Sequence, residues 1–380
     1  MAKKRKTEVF GITHRDKKSL ARVGELHTAH GKIETPFFMP VATKGSVKHL
    51  SLDEVETFGV RCMISNSFIF YLRPGLETIQ RAKGLHHFMG WKHGLFTDSG
   101  GFQILDDTFL HARSEEGVIL NNPFNNNSRE LYTPEKAMQV QNILGSDVAM
   151  VLDDVPKFGT SRPFIAETLA RTLKWAKRCK AAHDNDKQLV FGISQGGTYT
   201  DLRKKGIAQL NKLDFDGMAL GGMAIGEPKE VMQKVIDSVR KDIPEQKPVY
   251  VMGLGSPEDI IKAIHSGIDI FDSCFPSRIA RHGTAMTWKG RVSIENLNYQ
   301  HDFSPLDAQC DCHVCTHHTK AYVHHLCKNR EETGYRLVTY HNIYFVQQLI
   351  EKSRDAIKEG TFSAFAKQFL KDYRNDTGKK

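Results

Sequence analysis

The sequence predicts an α/β protein built on a (β/α)8 TIM barrel, and three observations support this fold. Short apolar runs recur along most of the chain, amphipathic stretches of helical spacing separate most of them, and the runs number eight. The alternation alone also permits a doubly wound open sheet, but eight near-regular units favour closure into a barrel. The predicted strands are 36–41, 60–65, 94–97, 148–152, 189–194, 217–220, 248–252 and 268–271.

Three regions are predicted around this barrel. Residues 1–35 alternate polar and apolar positions between glycines, which predicts antiparallel hairpins that cap the catalytic barrel at 36–283. An asparagine-rich stretch interrupts the alternation, and asparagine clusters are typical of turns, so we expect an inserted hairpin or loop near 105–135. Beyond the barrel, 284–380 predicts a zinc-binding subdomain with strands near its start and helices at its end, packed on the barrel.

Composition restricts the class of protein. The 380 residues suffice for one large domain with an appendage, and 53 Lys and Arg against 44 Asp and Glu give a net charge of +9, which permits a nucleic-acid partner. No apolar run approaches the ~18 residues that span a membrane, and the basic start lacks the apolar core of a signal peptide. Seven cysteines without an export signal favour a reducing compartment. We therefore expect a cytoplasmic protein with no membrane partner.

Polar and flexible residues follow the predicted strands, at the edge where barrel enzymes carry their sites. The strand-end residues are Asp98, Asp153, Gln195, Gly221, Gly222, Met252 and Asp272. Carboxyl groups that converge on one mouth raise one another's pKa values, so one can act as an acid while another stays ionised. Uncovered glycine amides suit a flat polar ligand, and Phe102 and Met252 could supply its faces. Each residue alone is more often structural, but the shared character of these positions favours a site.

The last predicted strand ends in a carboxylate followed by two arginines. Asp272 closes the strand, and Arg278 and Arg281 follow three residues apart. The arginine fork suits phosphate or base edges, so this stretch suggests chemistry beside a bound polyanion. The structural alternative is an aspartate that caps the next turn, with two surface arginines.

A metal site is predicted by the closely spaced Cys310, Cys312 and Cys315. These thiols are too close together for ordinary disulfides, and a closed structural zinc site needs a fourth ligand. The histidine candidates are His313, His317, His318, His324, His325 and His341. His341 is placed at the start of a predicted helix over 340–358, from which it could reach the cysteine loop, whereas a neighbour such as His317 is the simpler choice.

Taken together, these motifs resemble those of the tRNA-guanine transglycosylases over roughly residues 8–370. The matching motifs are TDSGGFQ at 97–103, LDD at 152–154, SQGG at 194–197, ALGG with IGE within 219–227, VMGLG at 251–255, FDSCFPSRIAR at 271–281, CDCHVC at 310–315 and TYHN at 339–342. Their conjunction is far more specific than any one of them.

The resemblance implies exchange of guanine at the wobble position of tRNAs with GUN anticodons for a 7-deazaguanine, either queuine or its aminomethyl precursor. Asp272 would be the nucleophile and Asp98 the general acid/base. The implied base-binding residues are Ser99, Phe102, Asp153, Gln195, Gly222 and Met252. The implied contacts to the anticodon are Gly253, Gly255, Ser256, Arg278 and Arg281. The implied ligands of one structural zinc ion are Cys310, Cys312, Cys315 and His341. The family also implies a homodimer near the zinc region, which Phe88, Tyr322 and His325 could line.

Departures from the family pattern leave the incoming base open. Ile69 replaces a common histidine, and Asp154 and Val155, expected beside the base pocket, replace the glutamate and cysteine of most bacterial members. Val155 favours queuine, whereas Ile225 fills space that the larger base needs; we lean towards queuine.

Two other functions stay in view. A non-catalytic RNA-binding subunit would be favoured by loss of the carboxylates or zinc ligands, which are present, and a barrel glycosidase would leave the cysteines and arginines without a role.

Overall fold

The computed structural model describes residues 8–100, 109–125 and 128–373. Its centre is a sheet of eight parallel strands in the order β4-β14-β13-β12-β11-β10-β6-β5. The strands are β4 (Phe37–Pro40), β5 (Cys62–Asn66), β6 (Gly94–Asp98), β10 (Val148–Met150), β11 (Leu189–Ser194), β12 (Gly217–Leu220), β13 (Val249–Val251) and β14 (Ile270–Ser273). The predicted barrel is confirmed, and every predicted strand overlaps an observed one.

The ring closes between the first and second strands of the barrel. β4 pairs with β14 along its length, whereas β4 and β5 meet through a single parallel bridge between Val41 and Ile64. The Ala42 amide donates to the Ile64 carbonyl across this junction at 2.8 Å. The Asn66 amide donates to the Thr43 carbonyl at 3.4 Å, so hydrogen bonds across this junction lie just beyond the end of β4.

Burial on both faces explains why the strands appear in the sequence as continuous apolar runs rather than alternating ones. All six residues of β11 are buried. Inside the barrel, the centroid of the Phe96 ring lies 5.5 Å from that of Phe191 and 6.0 Å from that of Tyr250, both in edge-to-face geometry. These rings form an aromatic layer that fills the interior.

Helices follow the strands and cover the outside of the barrel. They are α1 (Leu52–Thr57), α2 (Ser67–Leu72), α3 (Leu76–Arg81), α4 (Leu85–Met89), α5 (Pro134–Leu144), α6 (Arg162–Ala182), α7 (Thr200–Lys212), α8 (Lys229–Val239) and α9 (Pro257–His265). The ends of α5 follow from local sequence: the Thr133 side chain accepts from the Lys136 amide, and Gly145 ends the helix in the left-handed conformation.

Two small antiparallel sheets accompany the barrel. The first, β1 (Phe10–Arg15), β2 (Arg22–Thr28) and β3 (Gly31–Thr35), confirms the predicted N-terminal hairpins. The second is the insertion after β6, with strands β7 (Leu110–Arg113), β8 (Val118–Asn122) and β9 (Ser128–Tyr132). Part of the asparagine-rich stretch is therefore strand rather than turn.

The C-terminal region packs on the barrel through a long helix. Its elements are α10 (Phe275–Ala280), β15 (Thr284–Thr287), β16 (Gly290–Ser293), α11 (His313–His317), α12 (Lys320–Lys328), α13 (Glu332–Lys358) and α14 (Phe362–Asp372). Gln347 of α13 donates to the Phe38 carbonyl of the barrel at 3.1 Å. The prediction that this helix starts at 340 was wrong, because α13 begins at Glu332 and His341 lies well inside it.

Among the described ranges, no helix has both the length and the apolar character needed to cross a lipid bilayer.

Candidate active site and metal centre

A cavity of about 250 Å³ lies at the carboxyl ends of the barrel strands. The residues predicted from strand ends that line it are Asp98, Asp153, Gly221, Gly222, Met252 and Asp272, and Ser99, which the resemblance implies, lines it as well. Gln195 lies behind the wall and contacts Asp153, whereas Phe102 lies outside the described residues. Residues from five separate strands or strand ends thus meet at one mouth.

Asp98 ends β6 at a half-buried position on the cavity wall. Its carboxylate accepts from the Asn66 amide group at 3.2 Å and from the Gly100 backbone amide at 3.2 Å. Burial, with the nearby charge of Asp272, raises the pKa of Asp98 to about 7. A carboxyl group with this pKa can both give and take a proton near neutral pH.

Asp272 lies in β14 and is held by the neighbouring strand. The Tyr250 hydroxyl donates to Asp272 Oδ1 at 2.6 Å, and the Gly253 amide donates to the same oxygen at 2.8 Å. Burial raises the pKa of Asp272, while these two hydrogen bonds favour its ionised form. Because both donors use Oδ1, the Oδ2 atom keeps its lone pairs for another partner.

Asp153 and Gln195 form a polar pair beside a glycine turn. Gln195 Nε2 donates to Asp153 Oδ2 at 2.6 Å, and burial raises the pKa of Asp153 to about 7. Gln195 Oε1 is buried without a hydrogen-bond partner in the described structure. Gly222 has φ of +62°, and a Cβ there would lie 2.3 Å from Gln195 Oε1, so only glycine fits.

The two residues after Asp153 differ in their relation to the cavity. Val155 lines it, as does Ile225 on the opposite loop. Asp154 is not among the described residues that line it, so the expectation that Asp154 borders the base pocket was wrong. Its carboxylate is instead bound by Arg113, at 2.8 Å, and by Arg171.

The predicted RNA contacts divide between two hollows. A hollow that adjoins the cavity is lined by Gly253, Gly255, Ser256 and Arg278. Arg278 also lines the cavity itself. Arg281, the first residue after the short helix that carries Arg278, lines a separate groove that also contains Lys48 and Arg330. Both arginines are exposed, as predicted.

The three predicted cysteines and His341 come together in the C-terminal region. His341 Nδ1 lies 3.6, 3.5 and 3.4 Å from the sulfur atoms of Cys310, Cys312 and Cys315. A tetrahedral zinc ion with ordinary bond lengths separates a sulfur from a nitrogen ligand by about 3.6 Å. The donor set and its spacing therefore fit zinc, and this cluster could hold a metal ion.

Neighbouring residues orient the cluster. His341 Nε2 donates to the Met286 carbonyl at 2.6 Å, which leaves Nδ1 unprotonated and directed at the sulfurs. The adjacent Asn342 donates to the carbonyls of Pro276 and Thr284 at 3.0 and 2.9 Å. Helix α13 thus holds both the metal cluster and the helix that carries Arg278.

Among the cavity residues that were missed from the sequence, Asn66 and Tyr250 bind the two aspartates. Asn66 ends β5 directly opposite Asp98, and the strand-end rule that identified the other positions applies equally to it. Tyr250 lies inside an apolar strand, and the sequence carries no signal that its hydroxyl would contact Asp272.

The barrel and the carboxyl groups in its cavity define a barrel enzyme, which carries a separate cluster that could hold a metal ion. Comparisons with known proteins show its family. The family profile described as Queuine tRNA-ribosyltransferase matches residues 16–375. A queuine tRNA-ribosyltransferase of Halothermothrix orenii is 46% identical over 366 residues, covering 96% of this chain and 98% of the relative. That of Pelotomaculum thermopropionicum is 46% identical over 367 residues, covering 97% and 99%. The chain belongs to the queuine tRNA-ribosyltransferase family.

Proposed function

We propose that this chain exchanges guanine at the wobble position of tRNAs with GUN anticodons for a 7-deazaguanine base, through a covalent bond between Asp272 and the ribose. The observation that carries the proposal is that Asp98 and Asp272 share one cavity in different environments. Asp272 is held by two donors that favour its anion, whereas Asp98 has a pKa of about 7. These are the requirements for a nucleophile and a proton carrier.

In the first half-reaction Asp272 Oδ2 attacks the ribose C1′, the bond between C1′ and the guanine breaks, and Asp98 gives the departing base a proton. In the second, Asp98 takes a proton from the incoming base, whose nitrogen attacks C1′ and releases the Asp272 carboxylate. Ester formation removes the Asp272 charge that helps raise the pKa of Asp98. Asp98 therefore becomes a stronger acid as the guanine departs.

The base would be recognised by groups that surround it in one plane. Asp153 and Gln195 would bind its polar edge together with the Gly222 amide, with Ser99 nearby. Met252 would cover one face and Phe102 the other. This arrangement favours a flat heterocycle with several donors and acceptors over a sugar.

The direct test uses radiolabelled guanine and unmodified tRNA, with label expected in the RNA. Incorporation of label from the free base into RNA is expected of the proposed exchange enzyme and of neither alternative. An RNA-binding subunit would retain tRNA without incorporating label, and a glycosidase would release sugar instead. Absence of incorporation by folded, metal-loaded protein would refute the exchange activity.

For the incoming base we propose a preference for queuine. Val155 and Asp154 match members of the family that take this base, and Val155 removes a thiol from the cavity wall. Ile225 opposes the preference because it fills space on the facing wall. A methylene or two changes selectivity by only ~1–3 kcal/mol, so both bases should be substrates.

Competition of queuine and the aminomethyl base against guanine-charged tRNA tests this preference. Ile225→Gly should increase the use of queuine, whereas Ile260→Val, a buried change in α9 away from the cavity, serves as the control. A tenfold or greater preference of the natural protein for the aminomethyl base would reverse the assignment.

We propose one structural zinc ion per chain, bound by Cys310, Cys312, Cys315 and His341. When bound, the ion would fasten the cysteine loop to α13 and take no part in base exchange. Cys312→Ala should lose the metal and lower stability and solubility. Cys327→Ala is a matched control, since Cys327 is equally buried but lies outside the cluster. A stable, metal-free Cys312→Ala protein with unchanged activity would contradict the assignment.

We also propose that the anticodon binds across Arg278 and Arg281, beside Gly253, Gly255 and Ser256. Arginine contacts to phosphates release counterions, so RNA affinity should fall steeply with salt. Removing either arginine should weaken binding and flatten this salt dependence. Affinity that does not change between dilute and physiological salt would argue against the proposal.

We also propose that the protein is a homodimer whose interface includes two exposed aromatic residues. These are Phe88, which is 43% exposed, and Tyr322, which is 44% exposed. The molar mass in solution should correspond to two chains, and Tyr322→Glu should shift it towards one. A natural protein that stays monomeric at micromolar concentration would refute this part.

A further inference from the structure

A fully buried arginine lies behind the base-binding wall of the cavity. Arg203, in the first turns of α7, has 0% of its surface exposed. Its guanidinium donates to three backbone carbonyls: Nη1 to Ser194 at 2.9 Å, Nε to Gly197 at 2.8 Å and Nη2 to Gly222 at 3.4 Å. One rigid side chain therefore joins two separate loops.

Burial destabilises the charged form of this guanidinium. It lowers the pKa of Arg203 to about 10, and the negative charge of Glu227 offsets part of this shift. No carboxylate forms an ion pair with Arg203 in the described parts of the chain. The guanidinium is stabilised mainly by backbone carbonyls, an arrangement that a compact ammonium group could not reproduce because it lacks the planar fork.

The bound carbonyls belong to the two loops that face the base. Ser194 and Gly197 flank Gln195, whose amide group contacts Asp153. The Ser194 carbonyl also accepts from the Gly221 amide at 3.1 Å, so the same oxygen links Arg203 to the second loop. Gly222 has a positive φ, and its fixed carbonyl helps to set the direction of its own amide.

We propose that Arg203 is a positioning residue for base recognition: it holds the 194–197 and 221–222 loops in register so that Gln195 and the Gly222 amide meet one base at the same time. This inference rests on the proposed function. Arg203 touches no substrate, and its effect is transmitted through the loop backbones.

The chain offers a matched control. Arg240 is also buried, at 5% exposure, and its guanidinium also donates to backbone carbonyls, those of Gly267 at 2.8 Å and Ile243 at 3.3 Å. Burial lowers its pKa to about 10 as well. Gly267 and Ile243 precede β14 and β13, so Arg240 lies at the end of the barrel opposite the cavity.

The experiment measures kcat, KM for guanine and KM for tRNA in the zinc-loaded protein carrying Arg203→Lys, Arg203→Gln or Arg240→Lys. Arg203→Lys should raise KM for guanine roughly tenfold, because loops that lose the guanidinium fork hold Gln195 and the Gly222 amide less well in register and a hydrogen bond to the base is weakened. The kcat should change by less than about threefold. KM for tRNA should stay within about twofold in all variants. Arg240→Lys should lower the unfolding temperature and leave all three constants within about twofold.

Hydrogen exchange supplies a second readout. Amides of 219–227 should exchange faster in Arg203→Gln than in the natural protein and stay unchanged in Arg240→Lys. An unchanged KM for guanine in Arg203→Lys, or an equal rise in Arg240→Lys, would overturn the proposal. So would failure of both Arg203 variants to fold while Arg240→Lys folds, since Arg203 would then be a requirement of the whole barrel. If the natural protein exchanges no base, it is the proposed function that fails.

Discussion

Two strands of the barrel carry an aspartate at each end, and the aspartates at the amino ends have more hydrogen-bond partners than those at the carboxyl ends. Asp147 precedes β10 and Asp153 follows it, while Asp269 precedes β14 and Asp272 lies near its end. At the amino ends, Asp269 is bound by both nitrogens of the Arg22 fork at 2.8 and 2.6 Å. At the carboxyl ends, no cation pairs with Asp153 or Asp272 among the described residues.

Asp147 shows how complete the pairing at the amino ends is. It accepts from the His30 ring at 2.9 Å and from the His30 and Leu95 amides at 3.0 and 2.9 Å, and the His86 ring nitrogen lies 3.3 Å from it. Although burial opposes its ionisation, its interactions with the two histidines lower the pKa of Asp147. Burial instead raises the pKa of Asp153 to about 7.

The difference separates two uses of a buried carboxyl group. With a full set of partners it holds elements together, and its ionised form adds to stability. With few partners it stays reactive, and its ionised form lowers stability. The aspartates at the amino end of the barrel thus stabilise the fold, while those at the carboxyl end lower its stability, as expected if they carry out the proposed chemistry.

The largest effect should come from the reactive aspartates. Asp272→Ala removes the proposed nucleophile, so no tRNA adduct resistant to denaturation should form, and exchange should be abolished. Asp98→Ala removes the proton carrier and should slow exchange by ~10²–10⁴-fold. Denaturing gels and label incorporation measure both. If Asp272→Ala still traps an adduct and Asp98→Ala does not, the two roles are reversed.

The second largest effect is expected at the amino end of the barrel, where a substitution of Asp147 should lower stability. Asp147→Ala leaves the His30 ring and the His30 and Leu95 amides without their acceptor, which should lower the free energy of unfolding by on the order of 3 kcal/mol. Activity per folded molecule should persist, as measured by denaturant titration alongside exchange assays. A change in activity without a loss of stability would contradict the division between the two ends.

At the carboxyl end of the barrel, a substitution of Asp153 should raise the free energy of unfolding rather than lower it, and by a smaller amount. Asp153 has a folded pKa of about 7 against an ordinary value of 3.8, so its contribution to stability is present below 3.8 and is lost as the pH rises through 7. Asp153→Asn removes this penalty while keeping an acceptor for Gln195. It should raise the free energy of unfolding by roughly 2 kcal/mol at pH 8 and by less at pH 5.

The pH dependence of Asp153→Asn tests the cause of this effect. If the gain in the free energy of unfolding is constant from pH 5 to pH 8, ionisation of Asp153 is not what lowers the stability of the natural protein. Base exchange should fall in this variant even where its stability rises.

The barrel could be predicted because its strands are buried on both faces and therefore appear as uninterrupted apolar runs. The same strand ends located Asp98, Asp153 and Asp272 in one cavity, because carboxyl ends of parallel strands share an edge. Contacts between strands could not be predicted. The bond from Tyr250 to Asp272 depends on the pairing of β13 with β14, and the carbonyls bound by Arg203 become close only when two loops fold over α7.

The start of α13 shows how a tertiary contact escapes the local sequence. The predicted helix began at 340, whereas α13 begins at Glu332 and includes Gly334. In the structure, a Cβ at Gly334 would lie 2.9 Å from the Leu326 Cβ and 3.0 Å from the Cys327 amide nitrogen. The glycine permits close packing of α12 on α13 rather than ending the helix, a tertiary requirement that is invisible in the local sequence.

The N-terminal sheet has a consequence for the order in which the protein is made. Its β2–β3 turn is bound by Asp147, 117 residues downstream of His30, and Arg22 is bound by Asp269, 247 residues downstream. The Pro36 carbonyl accepts from Arg354, 318 residues downstream. Among the described sheets this one is synthesised first, yet these three contacts can form only after Asp147, Asp269 and Arg354 have been made.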